Sequence, residues 1–241
     1  MTKAPLDPTL FGEEPARDGR FAVRDVWAEM TNFSPDDPEA IGEFLHRQMN
    51  EEVNGLEISA RNLADFRDAD WGLRMEMARQ CWDEARHVEM FRRCFEARGV
   101  RVGQYPVLNF QFRIMTRIDS LLGRLAVQNR SFEAAGIDAI QSAIVESSAR
   151  AGQSDLAELY EAQLADEVQH VRYANVWMDR LKRKHGARAL LELARAVSVA
   201  NRALAAVAGD AAMAFPIDEG LRREAGFTEE EIEAARALLP R

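Results

Sequence analysis

Two short stretches of this chain, DEARH at residues 83–87 and DEVQH at residues 166–170, decide how the sequence is interpreted. In each stretch a glutamate lies three positions before a histidine, which puts both side chains on one face of a helix. That face otherwise carries apolar residues such as Phe91 and Leu164. Each helix is therefore expected to turn a carboxylate and an imidazole towards a core.

The rest of the chain favours an all-α fold. Of its 241 residues, 47% are hydrophobic and 29% are charged, an ordinary balance for a globular protein with a real core. Long stretches rich in Ala, Leu, Glu, Arg and Met contain few Gly or Pro residues and almost no alternating β-branched residues. This composition is typical of helices.

Charge, hydropathy and cysteine placement exclude several classes of function. The net charge of −9 argues against a broad nucleic-acid interface, so no nucleic-acid partner is expected. The chain lacks a long apolar span and an apolar signal core, which predicts a cytoplasmic protein without a membrane partner. Cys81 and Cys94 lie too far apart on one predicted helix to form a disulfide, and we expect both to be reduced.

The predicted helices form two hairpins joined by a longer crossover that contains Gly103 and Pro106. The four long helices are expected at about residues 38–66, 70–98, 113–150 and 155–184. We predict three regions: an N-terminal arm at 1–37 with a short helix near 21–30, a four-helix bundle at 38–184, and a C-terminal helical extension at 185–241 packed on the bundle.

Within the C-terminal extension, a fifth helix is expected at about residues 187–209, followed by a loop at 212–220. Thr228 and Glu231 have the spacing of a capping box, which predicts that a last short helix begins there.

Glutamates that face a helical core require cations. Burying a carboxylate without a partner costs several kcal/mol, and two divalent metal ions would balance four such groups. A glutamate from each of two helices, combined with Glu-x-x-His on the other two, builds di-iron and di-manganese sites in helical bundles. The two stretches supply Glu84, His87, Glu167 and His170.

The position of each hairpin turn indicates which other glutamates complete the set. Glu52 lies about 16 residues before the first turn and Glu84 about 16 after it, so the two should sit at similar heights. Glu133 lies about 19 residues before the second turn and Glu167 about 15 after it. We therefore predict Glu52 and Glu133 as ligands, with Glu57 as the alternative to Glu52.

Three residues near the predicted ligands have two interpretations. Asp83 and Asp166 directly precede the ligand glutamates; we predict that each accepts a hydrogen bond from the distal nitrogen of the opposite histidine, and a surface position is the alternative. Tyr160 shares a helix face with Glu167. It is the one candidate for a catalytic residue beyond the ligands, although core packing is the favoured interpretation.

The remaining histidines and two tryptophans are expected to have structural positions only. His46 and His185 lie near predicted helix ends and should be exposed, whereas Trp82 and Trp177 should pack in the core.

The chain resembles the ferritin-like superfamily of bacterioferritins, rubrerythrins and di-iron oxygenases. The two Glu-x-x-His elements carry this resemblance, which covers about residues 38–184. A closer similarity, to a bacterial ferritin-like family of unknown function, rests on HRQMNEEVNGLEISA, DEARH, QYPV, SFEAAGID and DEVQHVRYANVWM. In that family a second histidine adjoins the first in helix one. This chain has Arg47 there, which argues against a role for His46.

The resemblance implies a ferritin-like four-helix bundle with two metal ions bridged by carboxylates, with Glu84 and Glu167 as the expected bridging ligands. Iron is the expected metal, and manganese or a mixed Mn/Fe pair stays open because these metals share hard ligands. The implied partners are O₂ or peroxide and a small-molecule substrate, and a homodimer is also open.

Three functions are compatible with these ligands. We favour a di-iron oxidase or oxygenase, because about 90 residues outside the bundle can cover a substrate pocket. The second function is iron handling, as a ferroxidase, a storage subunit or a peroxide scavenger, although the chain has no CxxC module for electron delivery. The third is a non-catalytic binding module with a vestigial site, which the six filled ligand positions argue against.

Overall fold

The computed structural model describes residues 14–15, 17–34, 36–149, 154–208 and 216–237. The fold is predominantly helical, as predicted. The helices are α1 (Ala40–Asp65), α2 (Trp71–Glu96), α3 (Phe110–Thr116), α4 (Leu121–Val127), α5 (Ala134–Ala149), α6 (Ser154–His185), α7 (Ala187–Ala208), α8 (Glu219–Glu224) and α9 (Glu229–Ala237). Two short strands, β1 (Val23–Arg24) and β2 (Val107–Leu108), pair in parallel.

The described residues divide into two compact units. The first contains residues up to 121 together with 198–208, and the second contains 122–197 together with 216–237. The grouping of the four long helices into one bundle, and the predicted boundaries at 37 and 184, stay predictions.

In the first unit, α1 and α2 pack against each other as a helical hairpin. The Asp70 side chain accepts a hydrogen bond from the Gly72 backbone N–H at 2.9 Å and thereby caps the start of α2. Gly99, with φ of +79°, follows the end of α2, where an L side chain would be strained. The buried apolar residues of the pair include Leu45 and Met77.

The segment before α1 pairs with the crossover after α2. β1 aligns Val23 with Val107 in parallel register. A Cβ atom at Gly103 would lie 2.5 Å from the carbonyl oxygen of Arg20, so this close approach requires glycine. The helix predicted near residues 21–30 is wrong: the segment forms β1 and a 3₁₀ turn at Trp27–Glu29, because the crossover supplies a strand partner for its backbone.

Asn50 and Asn54 attach the crossover to α1. The Asn50 side chain donates to the carbonyl oxygen of Leu108 at 2.7 Å, and Arg17 donates to Asn50 Oδ1 at 2.9 Å. The Asn54 side chain donates to the carbonyl oxygen of Asn50 at 2.8 Å. Asn54 also donates to the Leu108 carbonyl oxygen at 3.4 Å, so two buried amides of α1 satisfy one strand carbonyl.

In the second unit, α4 continues through a π-helical turn at Gln128–Glu133 into α5. The single third helix predicted at 113–150 is therefore wrong, since α3 ends at Thr116 and the helical stretch that follows contains this turn. α5 packs against α6, and α6 against α8. Their buried core comprises Ala134, Ile137, Val168, Val171 and Ala225.

The C-terminal segments confirm two predictions and correct a third. α7 covers the predicted fifth helix from 187 to 208, and residue 209 lies outside the described residues. The capping box is confirmed, since the Thr228 N–H donates to Glu231 Oε2 at 3.0 Å and the Glu231 N–H donates to Thr228 Oγ1 at 3.3 Å. The predicted loop at 212–220 ends early because Asp218 caps the unpredicted helix α8; residues 212–215 lie outside the described part.

Several side chains differ from their predicted exposure. Trp82 is 68% exposed instead of packed in the core, Trp177 is half-buried with Arg180 over its ring, and His185 is half-buried beside Glu192. Cys81 and Cys94 form no disulfide within the described residues, which agrees with the prediction. Among the described helices, none has the length and apolar character needed to cross a membrane.

Candidate metal centre

The first unit gathers three of the predicted ligands, which we call ligand set 1: Glu52 on α1, and Glu84 and His87 on α2. Each offers a ligand atom within 4.8 Å of those of the other two. His87 Nδ1 lies 3.0 Å from Glu52 Oε2 and 3.4 Å from Glu84 Oε2. All three side chains are buried, so two carboxylates and one imidazole share a small space removed from water.

Gly55 and Gln80 determine where the Glu84 carboxylate lies. A Cβ atom at Gly55 would lie 2.9 Å from Glu84 Oε1, closer than real side chains allow, so glycine on α1 makes room for the carboxylate. Gln80, one turn earlier on α2, donates from Nε2 to the same Oε1 at 3.0 Å. Oε1 therefore faces an amide while Oε2 faces His87.

The second unit gathers the other three predicted ligands, which we call ligand set 2: Glu133, Glu167 and His170. His170 Nδ1 lies 3.4 Å from Glu167 Oε2 and 4.0 Å from Glu133 Oε2. All three side chains are buried. Gln163, one turn before Glu167 on α6, donates from Nε2 to Glu167 Oε1 at 3.5 Å.

The π-helical turn positions Glu133, which is its last residue. Inserting one residue into a helix rotates the side chains that follow, and such turns recur at functional sites. Two amides of the same turn bind the carboxylate: Gln128 Nε2 donates to Oε1 at 3.2 Å and Asn129 Nδ2 donates to Oε2 at 2.9 Å. Asn129 also donates to the hydroxyl oxygen of Tyr173 at 3.3 Å.

The amides that contact the ligand carboxylates were not predicted from the sequence. Two of them, Gln80 and Gln163, nevertheless follow a pattern that the sequence shows. QCWDEARH at 80–87 and QLADEVQH at 163–170 share the pattern Gln-x-x-Asp-Glu-x-x-His. The repeat of Asp-Glu-x-x-His therefore extends one helical turn further back than we predicted, to Gln80 and Gln163. The π-helical turn left no comparable trace in the hydrophobic periodicity.

The structure places the alternative ligand Glu57 in an ion pair. Its Oε2 lies 2.8 Å from Arg17 Nη1. Burial raises the pKa of Glu57, while Arg17 lowers it. Glu52, by contrast, lies beside His87.

Burial also raises the pKa of Glu51 to about 7 against the opposing charges of Arg47 and Arg17.

The other predicted site residues lie near the ligand sets in sequence but have different surroundings. Asp83 is buried between Arg79 at 3.4 Å and Arg86 at 3.3 Å. Asp166 is half-buried. The predicted acceptor roles of the two aspartates stay predictions. Tyr160 is buried, which suits the packing interpretation.

Burial, and secondly the charge of Glu84, raises the pKa of Cys81 to about 11, so this thiol is a poor nucleophile.

His46 is fully buried, so its predicted exposure is wrong. Its ring centroid lies 5.4 Å from that of Phe95 and 5.8 Å from those of Phe21 and Tyr105. Its Nε2 accepts the backbone N–H of Gly103 at 2.8 Å. Burial lowers the pKa of His46 to about 4, so this histidine is neutral near pH 7 and joins α1 to the crossover.

The chemistry of each ligand set suits a transition-metal ion. Carboxylate oxygens and imidazole nitrogens bind iron and manganese well, and a cation offsets the cost of burying two neighbouring carboxylates. The absence of a side chain at Gly55 leaves space for the Glu84 carboxyl group between the two helices. The molecule is thus a predominantly helical protein whose buried Glu and His residues can hold metal.

The chain belongs to the family described as "Protein of unknown function (DUF455)", whose model matches residues 3–233. No curated protein and no solved structure matches the chain. The family description states no activity.

Proposed function

We propose that ligand sets 1 and 2 together bind one pair of metal ions, iron under native conditions, in a ferritin-like four-helix bundle. The observation that supports this proposal is the repetition of one arrangement in both units. In each, a carboxylate from one helical segment approaches the Nδ1 atom of a Glu-x-x-His element on the next. Di-metal carboxylate proteins use this combination of helices.

Charge balance favours a pair of ions over a single one. The four glutamates carry four negative charges when ionised, and two divalent ions neutralise them. Within each hairpin the two glutamates lie at similar distances from the turn, Glu52 with Glu84 and Glu133 with Glu167, which places the members of each pair at one height. Glu84 and Glu167 are the proposed bridging ligands.

We further propose that the protein is an O₂-activating oxidoreductase that acts on a small organic substrate. A reduced iron pair supplies electrons and open coordination positions for O₂ when it is bound. The chain contributes six buried ligand side chains, and the amides of Gln80 and Gln163 donate to two of the carboxylates. This burial supports controlled redox chemistry because it excludes bulk water from the ligands.

Metal analysis and crystallography test the metal pair directly. Protein purified without chelators and reconstituted anaerobically with Fe(II) should hold two ions per chain. Anomalous scattering should show two peaks about 3.5–4 Å apart. A single peak, or none, would refute the dinuclear site, and protein that binds no stoichiometric metal would favour a vestigial one.

Oxygen consumption separates catalysis from iron handling. An oxidase should take up O₂ in proportion to an added organic substrate and keep two irons per chain. Accumulation of many irons per chain with repeated Fe(II) additions would instead support a storage role, and peroxide consumption without an organic substrate would support scavenging.

A further inference from the structure

We propose that Gln80 and Gln163 are matched positioning residues, which hold the carboxylates of Glu84 and Glu167 in the orientation that metal binding needs. The inference rests on the proposed metal pair and adds to it the groups that preorganise the proposed bridging ligands.

The same atoms meet in both units. Gln80 Nε2 donates to Glu84 Oε1 at 3.0 Å, and Glu84 Oε2 lies 3.4 Å from His87 Nδ1. The second unit repeats the arrangement, with 3.5 Å from Gln163 Nε2 to Glu167 Oε1 and 3.4 Å from Glu167 Oε2 to His170 Nδ1. In each case the glutamine engages one carboxylate oxygen, and the other oxygen is directed to the histidine.

This division of the two oxygens has a physical consequence. The terminal torsion of a glutamate is broad and rotates readily, so an unrestrained carboxylate exchanges its two oxygens. An amide donor on Oε1 fixes that torsion and directs Oε2 towards Nδ1. Groups that orient ligands in this way typically matter 10- to 100-fold for metal affinity.

A glutamine suits this role better than a charged donor. An amide N–H stabilises the ionised carboxylate, which is the form that binds metal. Because glutamine is neutral, it does not compete with a metal ion for the negative charge as Arg or Lys would. The glutamine lies four residues before the glutamate, the spacing that brings two side chains together on one helix face.

A purely structural role predicts different behaviour. Gln80 and Gln163 are buried, and a buried amide needs hydrogen bonds whatever its function. If the glutamines only fill space, an apolar residue of similar length changes stability and leaves metal affinity unchanged. Metal affinity measured beside the stability of the metal-free protein therefore separates the two roles.

The test uses the full chain and the variants Gln80→Met, Gln163→Met and the double variant. Methionine keeps the length of the side chain and removes the donor. Gln169→Met on α6 is the matched control, since Gln169 is partly buried and its Oε1 accepts from Arg172 at 3.3 Å. Each protein is titrated with Co(II), whose visible spectrum reports ligand geometry, and the metal-free forms are melted.

Because each of these carboxylates is proposed to bridge both ions, each single variant should bind the Co(II) pair about 10- to 100-fold more weakly, with an altered spectrum. The double variant should lose more affinity than either single variant, and the control should match the wild type. Should the methionine variants lose helicity before metal is added, Gln80→Asn and Gln163→Asn take their place, because asparagine keeps the amide but shortens its reach.

The outcomes distinguish this inference from the proposed function. Wild-type protein that binds no Co(II) overturns the metal pair itself. Two ions bound equally tightly by the wild type and by the folded glutamine variants would leave the metal pair standing and overturn the positioning role.

Discussion

Ligand sets 1 and 2 repeat one motif but are completed in different ways. In set 1, Glu52 comes from the regular helix α1 and lies 3.0 Å from His87 Nδ1. In set 2, Glu133 comes from a π-helical turn, and its carboxylate lies 4.0 Å from His170 Nδ1 while it accepts two amides of that turn. The Gln, Glu and His of the motif are thus the same in both sets. The third ligand is also a glutamate in both, but the helical segment that carries it and the groups that contact it differ.

The two sets accommodate their buried carboxylates in different ways. Set 1 depends on close packing between two helices, since Gly55 leaves space for the Glu84 carboxylate. Set 2 depends on deformation of one helix, since the π-helical turn supplies both Glu133 and the amides that bind it. We therefore expect changes in helix packing to weaken metal binding by set 1. Removal of the amide side chains of the turn should weaken metal binding by set 2.

Removing ligands should have the largest effect and tests whether both sets are required. Glu84→Ala combined with His87→Ala should abolish tight metal binding, and so should Glu167→Ala combined with His170→Ala. Helicity should be largely retained, because deleting both members of a buried polar pair leaves less uncompensated charge than deleting one. Metal content and far-ultraviolet circular dichroism provide the measurement.

The exposed pair Glu89 and Arg93, joined at 2.7 Å on α2, is the control for this experiment. Replacing both with Ala should leave metal content unchanged. If either ligand variant kept two ions per chain, the ligand assignment for that unit would be wrong.

Acid should weaken the first unit through His46. Burial lowers the pKa of His46 from 6.5 to about 4, so the unfolded chain binds a proton that the folded chain rejects. The free energy of unfolding therefore keeps its full value above pH 6.5. It decreases as the pH falls to about 4, and the decrease due to His46 is on the order of 3 kcal/mol. Urea unfolding of the metal-free protein across this range measures it.

His46→Gln is the comparison variant, because glutamine can accept from the Gly103 N–H and does not titrate in this range. Its unfolding free energy should fall less between pH 6.5 and 4 than that of the wild type. The groups near the ring include Tyr105, whose hydroxyl donates to Glu39 Oε2 at 2.9 Å, and they are common to both proteins. Parallel pH profiles would show that His46 does not carry the dependence.

Gly55→Ala should weaken metal binding by set 1, but less than removal of the ligands does. The added Cβ would lie 2.9 Å from Glu84 Oε1, so the carboxylate must move away from its position. Forcing extra volume into a packed site costs about 1–3 kcal/mol, and metal affinity should fall with it. Gly136→Ala on α5 is a matched control, since its Cβ would meet nothing within 4 Å.

The control should behave in the opposite way. Alanine replaces glycine inside a helix at Gly136, which should stabilise the protein by about 0.5–1 kcal/mol without altering metal affinity. Thermal melting and Co(II) titration of the two variants give the comparison, and a Gly55→Ala protein with normal affinity would show that the close approach is not needed.

The sequence predicted the parts of this architecture that depend on local periodicity. The spacing within DEARH and DEVQH indicated the members of the ligand sets on α2 and α6, and the spacing of Thr228 and Glu231 indicated the capping box. Gln80 and Gln163 could have been predicted in the same way. Such features need only the geometry of one helix.

Features that depend on distant segments were not predictable. His46 is buried because Phe21 and Tyr105 meet it from the arm and the crossover, and β1 forms because β2 supplies its partner. The π-helical turn differs from an α-helix by one inserted residue, and surrounding packing compensates its cost. None of these contacts leaves a periodic pattern.

The smallest effect should come from the turn itself. Asn129→Leu removes one of the two amide donors to Glu133 and leaves Gln128 in place, so set 2 should bind metal about 10-fold more weakly while set 1 is unchanged. Asn175→Leu is the control: its buried amide donates to the Ala225 carbonyl oxygen at 2.9 Å, and its loss should lower stability alone. Co(II) titration should show one weakened step for Asn129→Leu and none for Asn175→Leu. Equal losses in both steps would mean that the turn supports the whole fold, and the contrast between the two sets would then be wrong.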